Sequence, residues 1–174
     1  LGGVRRGATR LYYAGVLERG ECRSAAQALT QRNGQPEIGT LHLLQALVEQ
    51  PQGVVPHLLG RMGVDARALV GATTIELDRL PKVAGAGEPG VSRALRDTVL
   101  AAHEEIAQFG DQFVSTEHLL LALLGHGDAK TQAMLADAKV TRDRILKALQ
   151  DFRGSQRVTT TAIGWPCMGP SGGI

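Results

Sequence analysis

Aromatic side chains are scarce: three Phe, two Tyr and one Trp in 174 residues. The apolar content, 43% of the chain, is carried by Ala, Leu and Val, with more Leu and Ala than β-branched types. That balance favours helices packed on helices over a sandwich or barrel. Cysteine is equally rare. Cys22 and Cys167 stand 145 positions apart and form no CxxC pair or disulfide framework, so they read as two unrelated thiols of a reducing compartment. No run approaches the roughly 18–20 uncharged apolar residues that a membrane-crossing helix requires. The opening LGGVRRGATRLYYAG has no continuous apolar core of the kind a secretory signal needs. The location expected is therefore cytoplasmic, with no membrane partner.

Charge of one sign is also missing. The net charge is +2. Residues 1–21 hold four Arg against Glu18 and Glu21, residues 22–154 are one charge net negative, and Arg157 completes the balance. A nearly neutral body lacks the clustered Lys and Arg that grip a phosphate backbone, which excludes nucleic acid as the expected partner. No G-x-x-x-x-G-K-[ST] phosphate cradle occurs either. GAGEPG (85–90) has glycines at suggestive spacing. It follows a helical pattern and a proline rather than a strand, and reads as a linker.

What is present is a duplication. Displaced by 76 positions, IGTLHLLQALV (38–48) falls on VSTEHLLLALL (114–124), and the register runs on without a gap. Gly34 meets Gly110, Thr40 meets Thr116, His42-Leu43-Leu44 meets His118-Leu119-Leu120, Leu59 meets Leu135 and Val64 meets Val140. Ten identities in the 40 positions 34–73 are modest for a Leu/Ala-rich chain, but the unbroken register with matching turns indicates two copies of one helical unit.

Each copy reads as four helices. In the second, Ser92 caps a helix to about Phe109 whose Leu95, Val99, Ala102, Ile106 and Phe109 form one stripe, ended by Gly110. Ser115 or Thr116 caps the next, with Leu119, Leu120, Leu123 and Leu124 inward. A short helix over 130–138 and one from Thr141, with Ile145, Leu146, Leu149 and Phe152 inward, complete the unit. The first copy predicts helices over 22–33, 40–50, 54–62 and 65–79, the last capped by Asp65 and closed by Leu80-Pro81. The fold class expected is all-α, an eight-helix bundle of two four-helix pseudo-repeats. Repeat one spans about 22–80, the link 81–91 and repeat two about 92–154. Neither copy is expected to bury enough apolar surface alone. Residues 1–21 are a divergent segment in which Leu11 to Leu17 could join a first helix. Residues 155–174, with glycines, prolines and no periodicity, read as the start of a linker and a disordered tail.

The doubled HLL-(Q/L)-A-L unit, the GDQFVSTEHLLLALL run and the LPKVAGAGEPGVS link resemble the Clp amino-terminal domain, most nearly that of the ClpB-type AAA+ disaggregases. The likeness covers roughly residues 22–158, and RGSQRVT (153–159) is similar to the stretch where that family passes into its linker. Both ends depart from the pattern: residues 1–21 do not reproduce the family's opening helix, and the Trp-Pro-Cys stretch after Thr159 replaces its acidic linker. The expectation is a fragment of a longer ATPase whose ends differ from the family's.

The resemblance implies a substrate-recruiting domain that engages unfolded or aggregated polypeptides. No cofactor is implied for this chain; ATP and Mg²⁺ belong to the implied parent, a homohexamer working with the DnaK chaperone system, whereas the isolated domain is expected to be a monomer. Residue by residue, Ser92, Asp111 and Glu117 fall on the family's polar substrate-contacting positions. By their own chemistry Ser92 reads as a helix cap and Glu117 as a carboxylate favoured by the first-turn dipole, so capping and substrate contact both stay open for the three. No catalytic or metal residue is expected. His42 and His118 repeat but lack a second ligand at i+3 or i+4, and read as structural imidazoles near helix starts. His57, His103 and His126 form no constellation, and Glu104-Glu105 have no nucleophile beside them. Two rivals remain: an adaptor-docking domain of a ClpA- or ClpC-type unfoldase, which the SQRVT wording opposes, and a free-standing hydrolase using Ser92, which lacks a Gly-x-Ser-x-Gly elbow.

Overall fold

Short polar side chains set most of the helix starts. The computed structural model describes residues 21–50, 53–85, 87–109 and 114–153, with the side chains of 24–151 within them. The expectations for Leu11 to Leu17, Cys22, Gly110, Asp111, Phe152 and the segments 1–20 and 154–174 lie outside that description.

Repeat one holds α1 (Glu21–Arg32), α2 (Thr40–Glu49), α3 (Val54–Arg61) and α4 (Ala66–Asp78). Repeat two holds α5 (Arg93–Phe109), α6 (Thr116–His126), α7 (Ala129–Asp137) and α8 (Arg142–Arg153). The carboxylate of Asp65 accepts from the N–H groups of Arg67 and Ala68, and Ser92 Oγ accepts from Leu95 N–H at 3.1 Å. Asp128 and Thr141 do the same for α7 and α8. Each removes one of the donors a helix start leaves unpaired.

The eight helices stand within a residue or two of the predicted spans, and the apolar stripes point as expected. Leu95, Val99, Ala102 and Ile106 of α5 are buried, as are Ile145 and Leu149 of α8; Phe109 and Leu146 are half-buried. In α6 the burial is wider than one stripe: every residue from Thr116 to Leu123 is buried, and α2 matches it from Thr40 to Val48. A helix apolar on nearly all sides is an interior helix. α2 and α6 touch each other and form the centre around which the remaining helices pack. Leu43, Leu44, Leu47, Leu58 and Leu59 from one copy share a single apolar core with Leu119, Leu120, Leu123, Leu135 and Ile145 from the other. The duplication therefore yields one main core shared by both copies, beside a small satellite cluster of Leu29, Leu41 and Leu77.

One element goes beyond the sequence reading. β1 (Glu37–Ile38) and β2 (Gly90–Val91) pair in parallel, with Ser92 N–H donating to Ile38 O at 2.9 Å. Two residues per strand carry no readable alternation, and their partners are 53 positions apart. The link also returns to repeat one through Val83 N–H on Gly34 O at 2.8 Å.

Candidate functional site

α4 and α7, one from each repeat, run side by side in opposite directions. At one end Lys130 Nζ lies 3.0 Å from a carboxylate oxygen of Glu76, which also pairs with Arg79. The hydrogen bond from Lys130 holds the Glu76 carboxyl below its usual range. At the other end the helices part. α4 presents only Ala68 and Ala72 above buried Leu69, and α7 answers with Met134 and Ala138. The result is an open groove of about 340 Å³ with Val64 at its end. Ile75, one turn beyond Ala72 on α4 and outside the groove's lining, stands 57% exposed. Among the described residues lining the groove, Asp65 and Asp137 are the charged ones and none is a lysine or arginine. Such a trough suits apolar side chains of another polypeptide, contacts made without directional chemistry and therefore tolerant of sequence.

Of the sequence-predicted positions, Ser92 and Glu117 fall elsewhere. Ser92 is partly exposed and caps α5 through the Leu95 bond. Asp111 lies outside the described residues. Glu117 is fully buried in the first turn of α6, where the expectation had put a surface carboxylate. The reason is the enclosure of α6 on all sides, which local sequence does not announce. The groove residues were missed because alanine at Ala68 and Ala72 reads as ordinary helix filler. The one available signal was Ile75 standing on the solvent side of α4.

The two repeated histidines do have a structural task. His42 Nδ1 accepts from Gly39 N–H at 2.9 Å, and His118 Nδ1 accepts from Ser115 N–H at 2.8 Å, each ring reaching back to its own helix start. His42 then donates Nε2–H to Gln35 Oε1 at 2.6 Å, and Gln35 Nε2 donates to Leu77 O, tying the loop after α1 to α2 and α4. Burial pushes the His42 imidazole down to about 4, against a smaller opposing pull from Asp128, so the ring is neutral at pH 7. His118 instead meets the edge of Phe109, ring centroids 5.4 Å apart. Among the described residues no cluster of three His, Cys, Asp or Glu could hold a metal ion. No described helix is long and apolar enough to cross a membrane.

The described residues form a mainly helical, paired-repeat domain with a shallow apolar trough between its halves. Residues 23–138 match the Clp repeat (R) N-terminal domain, and the chain belongs to that family. It is like the corresponding part of the ClpB chaperones: the Chaperone protein ClpB of Bdellovibrio bacteriovorus is 34% identical over 140 residues. That match covers 80% of this chain and 16% of the relative, so the chain spans about a sixth of such a protein's length. Among solved structures, the Hsp104 N-terminal domain from Candida albicans superimposes with a TM-score of 0.69 at 21% identity, covering 80% of this chain and 91% of that one. A ClpV N-domain in complex with a VipB peptide gives 0.63 at 17% identity, covering 87% and 94%.

Proposed function

We propose that this chain is the substrate-recruiting amino-terminal domain of a ClpB-type, ATP-dependent disaggregase, capturing unfolded or aggregated polypeptides for heat-stress recovery. The observation that carries the reading is the open apolar groove between α4 and α7, on a domain whose family is shown. Peptide binding by the related ClpV N-domain supports it. The domain binds and does not catalyse. ATP and Mg²⁺ are used by ATPase modules of the whole protein, a cytoplasmic homohexamer that works with the DnaK system. Ser92, Asp111 and Glu117 stay in the reading as substrate-contact positions, Glu117 being reachable only on opening of the α6 start.

Affinity in this reading is weak by design. Covering a few apolar side chains gains about 2–5 kcal/mol before ordering costs. Six domains on one ring raise the local concentration enough to compensate, while release into a central channel stays fast. The test is fluorescence anisotropy of the chain with a permanently unfolded protein, such as reduced and carboxymethylated lactalbumin, beside its native form. Saturable binding of the unfolded form alone, micromolar or weaker, and no nucleotide binding are expected. Equal binding of both forms, or nanomolar ATP affinity, overturns the reading. The ClpV–VipB complex favours one other reading, docking of a defined adaptor or partner as in the ClpA/ClpC type; capture of a folded adaptor and no unfolded client would select it.

A further inference from the structure

The 76-residue displacement that relates the repeats also relates two grooves. The counterpart of the α4/α7 trough is a cleft of about 330 Å³ between α3 and α8, lined by Met62, Arg144 and Ala148 where the first has Ala138, Ala68 and Ala72. The backbone beneath is the same in both. Gly63 and Lys139 take left-handed φ of 72° and 59°, and Val64 N–H and Val140 N–H donate to Leu59 O and Leu135 O, each at 2.9 Å.

The side chains differ in one decisive way. In the α3/α8 cleft Arg144 folds across the trough, its Nη1 donating to Lys139 O at 2.6 Å and its Nη2 to Met62 O. The helix-end carbonyls of α3 and α7 are thus both caught by one guanidinium. In the α4/α7 groove the same place belongs to Ala68, whose methyl group is too short to reach across. The equivalents of those two carbonyls are the ends of Gly63 and Ala138. Charge is inverted as well: Arg61, Arg144 and Lys147 line the α3/α8 cleft with Asp151, whereas Asp65 and Asp137 line the α4/α7 groove. Asp137 stands at the counterpart of Arg61, and Ile75 at that of Asp151.

We infer that the α4/α7 groove is an arginine socket for client chains: it takes an extended segment in which an arginine stands beside apolar residues. The arginine enters where Arg144 lies in the other repeat. Its guanidinium meets the helix-end carbonyl of Ala138 and the Asp137 carboxylate, and its neighbours rest on Ala72, Met134 and Ile75. The internal duplicate shows that this backbone accepts a guanidinium, and the Asp137 carboxylate, with no lysine or arginine among the described lining residues, supplies the complementary charge. This inference rests on the recruiting function proposed above and adds its side-chain preference.

The experiment measures anisotropy of labelled peptides with Leu-Arg-Leu, Leu-Met-Leu or Leu-Glu-Leu between Gly-Ser flanks, titrated with the full chain. The Arg peptide is expected to bind about tenfold more tightly than the Met peptide, with the Glu peptide weakest. Ala68→Arg, at an exposed helix position, places in cis what Arg144 provides in the other repeat. It is expected to remove Arg-peptide binding while the helical circular dichroism and melting temperature are retained. Asp137→Asn is expected to bring the Arg peptide close to the Met peptide. Equal affinities for the three peptides, Arg-peptide binding unaffected by Ala68→Arg, or Ala68→Arg dissolving a dimer of the chain would overturn the inference. If the unfolded protein of the preceding test still binds in those cases, only the arginine socket falls. If neither peptide nor unfolded protein binds, the recruiting function falls with it.

Discussion

Lys139 holds a left-handed backbone, φ 59°, at the position where Gly63 holds φ 72° in the other repeat. Both follow a helix end and are flanked by the same pair of closing bonds: Gly63 N–H to Gly60 O at 3.1 Å and Lys139 N–H to Ala136 O at 2.9 Å. The turn is imposed by the fold, and only one copy has the residue that adopts it without steric cost.

Lys139→Gly should therefore stabilise the chain by up to about 1 kcal/mol, because the relief of the Cβ clash exceeds the added freedom of the unfolded chain. Gly63→Ala should destabilise by about 1 kcal/mol. A Cβ at Gly63 would meet nothing within 4 Å, so the effect is one of backbone alone. Urea unfolding of both variants checks the pair of signs; a destabilising Lys139→Gly would contradict the shared turn.

His42 makes stability depend on pH. Its imidazole, near 4 in the fold against 6.5 unfolded, is neutral in both states above pH 6.5. As pH falls below 6.5 the unfolded state binds a proton that the folded state resists. Stability is then lost progressively down to pH 4, by at most roughly 3 kcal/mol. Gln at this position can still accept from Gly39 N–H but does not titrate. His42→Gln should show a visibly shallower fall between pH 7 and pH 4.5 in denaturant unfolding. An identical slope in both proteins would exclude the buried imidazole as the cause.

Thr40 and Thr131 join the repeats through hydroxyls 2.8 Å apart, both fully buried, and Thr40 Oγ1 also accepts Asp128 N–H at 3.1 Å. Either valine substitution strands a buried partner and should cost about 1–3 kcal/mol. The double variant should cost less than the sum, with a coupling near 1 kcal/mol in a double-mutant cycle. Strict additivity would show that the bond contributes nothing across the repeat boundary.

Leu123 has no exposed surface in the middle of α6. Leu123→Ala should lower stability by about 2–5 kcal/mol, the range for a buried leucine that leaves a cavity. An unchanged melting temperature would contradict its place in the shared core.

Much of this molecule is readable along the chain. The duplication, the eight helices, the capping positions of Asp65, Ser92 and Thr141 and the inward leucines all follow from caps and apolar period within a dozen residues. These are local interactions, and a local pattern suffices to encode them. The histidines at His42 and His118 were placed correctly at helix starts, though the reach of His42 to Gln35, and of Gln35 to Leu77, was not foreseeable.

What tertiary structure alone decided lies wherever one repeat meets the other. Glu117 is buried because α6 is surrounded, not because of its neighbours in sequence. β1 meets β2 only once the link has folded back. Ala68 leaves its groove unbridged and Arg144 spans the other cleft only because α7 and α3 of the opposite repeat pass beside them. An alanine has the same helix propensity in either setting. Whether it leaves a trough or merely a small surface depends on partners some seventy positions away, which only the packed core brings within reach.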